Sequence, residues 1–204
     1  NHGQDVAGTA GGQKTGDPKA VDMMTGALTC PFGTGHMGVT AENVAREHGV
    51  TRADQDAFAL ESQVRAARAI AEGRFTAEIA PVEVSSRKGP VRFDTDEHPK
   101  ATGVEALAGL RPVFQKDGTV TAGNASGIND GAAALVLARS DAAEKAGLKA
   151  RARVLGYAHA GVDPKVMGIG PVPAVRALLA KTGLTAEDFD VIESNEAFAA
   201  QAVA

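Results

Sequence analysis

An α/β fold is the class the sequence predicts. Three observations point to it: helix-period apolar patterns bounded by capping residues, short extended apolar runs between them, and small-residue loops at the junctions. From residue 132 onward the extended runs alternate with helices, the rhythm of strands joined by crossover helices. With 204 residues, 44% of them hydrophobic, the chain can bury a sizeable core.

The elements follow in order. Residues 1–11 are polar and small and read as a flexible lead-in. Residues 33–38 form a glycine-rich loop, after which Thr40 is expected to open a short helix that Gly49 stops. Thr51 and Asp54 have capping-box spacing; Ala57, Leu60, Val64, Ala67 and Ala71 then recur at helical spacing, with Gly73 as the stop. Extended runs at 80–84 and 91–93 around a turn at 87–90 predict a hairpin, and 94–102 reads as a polar loop. Residues 119–131 are rich in Gly, Ala, Ser and Asn, and 132–138 is a continuous apolar run suited to a buried strand. Ser140 is expected to cap a helix ending at Gly147.

A second strand–helix–strand passage comprises a strand at 153–158, a helix at 173–181 stopped by Gly183, a capping pair at Thr185 and Asp188, and a strand at 190–193. Ser194 and Asn195 are expected to start a last helix with Phe198 on its apolar side. The chain end would cut that helix, so the chain is expected to be an internal piece of a longer one. No repeat is evident.

Composition narrows the function. Net charge is −4, with no Trp, one Tyr and seven Phe. A nucleic-acid binder needs a basic face and stacking aromatics, so no nucleic-acid partner is expected. No apolar run is long enough to cross a bilayer, and the N-terminal residues lack a secretory pattern, which makes the cytoplasm the expected location. A lone cysteine, Cys30, excludes an internal disulfide and a cysteine zinc cluster. Arg87, Lys88, Arg92 and Lys100 form a basic spot that suits a small anionic ligand, or simply a solvated surface.

Several motifs carry chemistry only in context. Residues 33–38 match the dinucleotide pattern G-x-G-x-x-G, but Pro31 interrupts any preceding central strand, so no dinucleotide site is expected. The loop is expected instead to present His36 and Met37. Cys30 lacks the helix N-terminus or adjacent histidine that stabilises a thiolate and reads as a bystander. Asp94, Asp96, Glu97 and His98 offer mixed ligand types without fixed geometry, and no metal is expected there. Residues 123–127, Gly-Asn-Ala-Ser-Gly, let a backbone approach a ligand closely, with Ser and Asn able to hydrogen-bond it. Asn195 either caps its helix or donates its amide to a reacting oxygen.

Six stretches in one order carry a more specific signal: His-Met-Gly-Val-Thr-Ala-Glu-Asn-Val at 36–44, Gln-Asp-Ala-Phe at 55–58, Leu-Arg-Pro-Val-Phe at 110–114, Thr-Val-Thr-Ala-Gly-Asn-Ala-Ser-Gly-Ile-Asn-Asp-Gly-Ala-Ala at 119–133, Gly-Val-Asp-Pro-Lys-Val-Met-Gly at 161–168 and Asn-Glu-Ala-Phe-Ala-Ala at 195–200. In that order they resemble the thiolases, nearest to the acetyl-CoA acetyltransferase (beta-ketothiolase) branch, from about residue 12 to the end. The resemblance implies part of the thiolase-like α/β fold: a loop domain over 1–127, the end of the N-terminal core half over 128–151, and the start of the C-terminal half over 152–204.

It also implies an acyl-CoA C-acyltransferase acting by ping-pong covalent catalysis, with a coenzyme A thioester as substrate and no permanent cofactor. The parent would be a homodimer or tetramer without a membrane or nucleic-acid partner. His36 and Met37 match residues lining the pantetheine and acyl pocket; Phe114 and Ala122 match residues packing on coenzyme A; Ser126 and Gly127 match the turn bonded to the pantetheine arm. Met167, Ala197 and Phe198 match residues closing the pocket. Asn195 matches the residue that positions an oxyanion-hole water, and Lys100 stands near a position where thiolases often carry Arg. The family's nucleophilic cysteine, Gly-His-Pro histidine and second cysteine have no counterpart among these residues, so the 204-residue chain alone is expected to be inactive. A non-catalytic coenzyme A or nucleotide binding module is the alternative.

Overall fold

The structure, a computed structural model, describes residues 4–6 and 20–204. Except for Gln4–Val6, the lead-in expected at 1–11 lies outside the described residues. That short segment is strand β1, antiparallel to β2 (Ala20–Asp22), so this part of the lead-in is paired.

After α1 (Met23–Ala27), β3 (Thr29–Cys30) turns back on β4 (Gly35–His36) in an antiparallel pair. Gly33 and Gly35 take φ of +81° and +92° there, the left-handed region that glycine enters without a Cβ penalty. A strand does therefore precede the glycine loop, contrary to the sequence reading. It pairs locally with the loop's own exit instead of leading a parallel strand–helix unit, and the dinucleotide geometry is absent for that reason.

Helix α2 (Met37–His48) starts three residues before Thr40 because His36 caps it: the His36 Nδ1 accepts from Gly38 N–H at 3.1 Å. Gly49, at φ +67°, ends it as expected. Helix α3 (Arg52–Ala71) has the predicted capping box, with the Thr51 N–H and hydroxyl donating to Asp54 Oδ2 at 2.8 and 2.6 Å. The expected hairpin is β5 (Val82–Ser86) with β6 (Gly89–Phe93), antiparallel and almost wholly exposed. Short α4 (Val104–Ala108) follows.

Helices α2 and α3, the 113–125 loop and the terminal helix α7 (Ala199–Val203) enclose the core. Ala41, Ala45, Val50, Val120 and Ala200 pack together, with Phe114, Ala125 and Phe198 against them. Helix α5 (Ser140–Lys145) has Arg139 at its cap; Ser140 is its first helical residue, because the backbone is already helical there. Helix α6 (Pro171–Thr182) ends at Gly183, and a 3-10 turn at Ala186–Asp188 has the capping pair expected of Thr185 and Asp188.

Three expected strands are corrected. Residues 132–138, 153–158 and 190–193 join no strand among the described residues and are exposed rather than buried. Leu135, Val136 and Leu137 are 89, 90 and 80% accessible. Their apolar patterns call for burial on both faces, and a strand needs a neighbour to take up its N–H and C=O groups. No described residue supplies one. The final helix is also corrected: it begins at Ala199, with Phe198 at the cap position, so Asn195 is not its cap. Among the described residues no helix is long and apolar enough to cross a membrane.

Candidate functional site

A cleft of about 840 Å³ opens between the start of α2, the 125–129 stretch, the 167–171 segment and the 194–198 segment. It gathers His36, Met37, Phe114, Ser126, Gly127, Met167, Asn195, Ala197 and Phe198 from distant parts of the chain. Two sequence candidates do not join them. Ala122 is exposed outside the cleft wall, and Lys100 is exposed on another face, its N–H donating to Gln63 Oε1 at 2.9 Å. Ala122 precedes a tight turn that faces Leu107 and Leu110, and Lys100 follows a polar loop.

Local folding explains each position. Capping α2 turns the His36 ring inward, where it stacks on Phe114 at 4.8 Å between centroids and 19° between planes. Phe114 meets Phe198 edge-on at 6.2 Å. This aromatic row is the apolar floor of the cleft. It needs Gly38: a Cβ there would overlap the Phe114 ring at its Cδ2 and Cε2. Gly38→Ala is expected to displace Phe114 and destabilise the fold by about 1–3 kcal/mol, checked by thermal unfolding.

The opposite wall is held by backbone pairing. Ala125 and Phe198 form an antiparallel bridge, Ser126 N–H donates to Ala197 C=O, and Ala199 N–H donates to Asn124 C=O, both at 2.9 Å. Met167 lies in the 3-10 turn Pro164–Ile169, which Asn43 of α2 secures by donating Nδ2 to Lys165 C=O at 2.9 Å.

Two buried carboxylates underlie this wall, and sequence reasoning gave them no role. Glu42 of α2 accepts from Thr119 N–H, Thr119 Oγ1 and Val120 N–H, each at 2.9 Å. Asp56 of α3 accepts from Arg52 Nε at 2.7 Å and from Asn124 Nδ2 at 2.9 Å. Asn124 Oδ1 in turn accepts from Thr121 N–H at 2.8 Å, and Arg52 continues to the Leu107 and Leu110 carbonyls. The available signal was polar residues on faces of α2 and α3 that should be apolar; a fully buried Glu, Gln or Asp is expected only when hydrogen-bonded.

Behind the 124–127 stretch lies a second cavity of about 290 Å³, with Ser62, Gln63, His98 and Glu196 among its walls. Cys30 is buried and lies outside both. The Thr34 hydroxyl beside it holds its thiol below the ordinary value. Asp94 pairs with Arg92 at 2.9 Å.

The arrangement offers a long apolar groove with a few hydrogen-bonding groups: the Ser126 hydroxyl, the Asn195 amide and the His36 ring. That combination suits an elongated, largely apolar ligand with a polar reacting centre.

Known proteins resemble the chain in sequence and in fold. Residues 2–141 match the family model described as thiolase, N-terminal domain, and residues 148–204 that of thiolase, C-terminal domain. The chain is 57% identical over 195 residues to beta-ketothiolase BktB of Cupriavidus necator, covering 95% of this chain and 50% of that protein. The crystal structure of the Bacillus anthracis acetyl-CoA acetyltransferase superposes with a TM-score of 0.86 at 46% identity, over 98% of this chain and 51% of that one. Human mitochondrial 3-ketoacyl-CoA thiolase gives a TM-score of 0.86 at 45% identity, over 99% and 52%. The chain thus spans about half the length of the relatives it matches.

Proposed function

The chain belongs to the thiolase family, and from that premise we propose that the full-length protein containing it is an acyl-CoA C-acyltransferase that makes or cleaves 3-ketoacyl-CoA by ping-pong covalent catalysis. The observation that carries this reading is the meeting of His36, Met37, Ser126, Met167, Asn195 and Phe198 in one cleft. A coenzyme A thioester is apolar along its arm and polar at its carbonyl, which suits an aromatic floor with the Ser126 hydroxyl and Asn195 amide on the walls.

In this proposal the pantetheine arm runs along the turn at Ser126 and Gly127, against Phe114, with His36, Met37, Met167, Ala197 and Phe198 closing around the acyl end. Asn195 acts on the thioester oxygen through a positioned water. When charge develops on that oxygen, a preorganised donor lowers the barrier by about 3 kcal/mol. The nucleophilic cysteine, the Gly-His-Pro histidine and the acid–base cysteine come from outside these 204 residues. Residues 1–127 serve as the loop domain over coenzyme A, 128–151 close the first core half and 152–204 open the second. The protein is a cytoplasmic homo-oligomer without a resident cofactor.

Two preparations test the reading. The full-length protein is expected to cleave acetoacetyl-CoA in the presence of coenzyme A, and the 204-residue chain alone is expected to show no turnover, because covalent catalysis needs a nucleophile it lacks. Turnover by the short chain that vanishes on Cys30→Ser would make Cys30 the nucleophile and overturn the assignment.

A further inference from the structure

Glu196 follows Asn195 in sequence but faces the other way. Asn195 lines the large cleft, whereas Glu196 lines the smaller cavity behind the 124–127 stretch. The two neighbouring side chains line different cavities, so what holds Glu196 on its side bears on where Asn195 points on the other. The holding contact is specific: Ser62 Oγ of α3 donates to Glu196 Oε2 at 2.7 Å, across 134 positions of sequence. The other ties of this segment, at Ala197 C=O and Ala199 N–H, lie on the C-terminal side of Glu196. On the N-terminal side, 190–194 is exposed and joins no strand among the described residues. Among the described residues, the side chain of Glu196 is therefore the tie nearest Asn195.

We propose that the Ser62–Glu196 hydrogen bond is a positioning device for the Asn195 amide, making Ser62 and Glu196 positioning residues of the acyl-transfer site. The inference rests on the reading of Asn195 as the donor serving the thioester oxygen. An oxyanion donor is effective only at the correct distance and angle, and its placement is felt in the transition state more than in substrate binding. Losing the tie should lower kcat while leaving KM nearly unchanged.

The test uses the full-length protein in acetoacetyl-CoA thiolysis. Ser62→Ala and Glu196→Ala are each expected to lower kcat about tenfold with little change in KM. The double variant should be no worse than either single one, since both remove the same bond. Glu196→Gln keeps an oxygen that accepts from Ser62 and should recover most of the loss, which separates the tie from the charge. In an Asn195→Ala background neither substitution should cost anything further, because both act through Asn195. Single variants with unaltered kcat beside an impaired Asn195→Ala, or losses that persist in the Asn195→Ala background, would overturn the proposal. An unimpaired Asn195→Ala would instead remove the reading on which it rests.

Discussion

Replacing Asn195 by alanine in the full-length protein is expected to lower turnover about a hundredfold, near 2.7 kcal/mol, with a smaller change in Michaelis constant. The expectation follows from where the side chain lies. Asn195 lines the cleft, and the helix after it begins only at Ala199, so no capping duty competes with a catalytic one. An amide at that wall can donate a hydrogen bond to water or substrate as negative charge develops on the thioester oxygen. Asn195→Asp preserves the shape and removes the donor. A carboxylate there repels the developing charge, so this variant should be at least as impaired as the alanine one. Steady-state kinetics on both variants decide the matter, and an aspartate variant with full turnover would end the catalytic role.

The second large effect concerns stability. Glu42 is 4% accessible and is the acceptor for two backbone N–H groups and a hydroxyl of the loop that leads into the cleft wall. Glu42→Gln turns one acceptor oxygen into an NH₂ group facing those donors. A buried donor left unsatisfied, together with the loss of charge-assisted bonds, costs about 3 kcal/mol. The thermal midpoint should fall by several degrees, and coenzyme A affinity should fall with it, because the 119–127 loop loses its anchor. Glu47→Gln, on an exposed position of the same helix, is the control and should change stability by less than about 0.5 kcal/mol. Equal midpoints for the two variants would show that Glu42 does not hold the loop.

Local signals in the sequence were reliable where the chemistry is local. The Thr51–Asp54 box and the glycine stops at Gly49 and Gly183 depend on neighbouring residues and stand where the pattern put them, and the hairpin expected from runs at 80–84 and 91–93 forms with its strands at 82–86 and 89–93. The start of α2 was misread because its cap is a histidine, whose ring nitrogen does what Ser or Asp usually does. The runs at 132–138, 153–158 and 190–193 have the composition of buried strands, but a strand exists only with a neighbour, and none is described.

The motif residues converge on one cleft, whereas composition alone could not reveal that Glu42, Asp56 and Asn124 hold its wall. The bonds that tie the loop to α2 and α3 span 68 to 78 positions of sequence, beyond any local pattern. Lys100 and Ala122 do not line the cleft.

The central claim is that the cleft between Ser126 and Met167 receives the pantetheine arm of a coenzyme A thioester with Asn195 at its carbonyl end. A crystal structure of the full-length protein soaked with acetyl-CoA tests it most directly. The account predicts the arm against Ser126, Gly127 and Phe114, with the thioester oxygen within a water's reach of the Asn195 amide. Coenzyme A bound elsewhere, with this cleft empty or filled by the protein's own side chains, would contradict it.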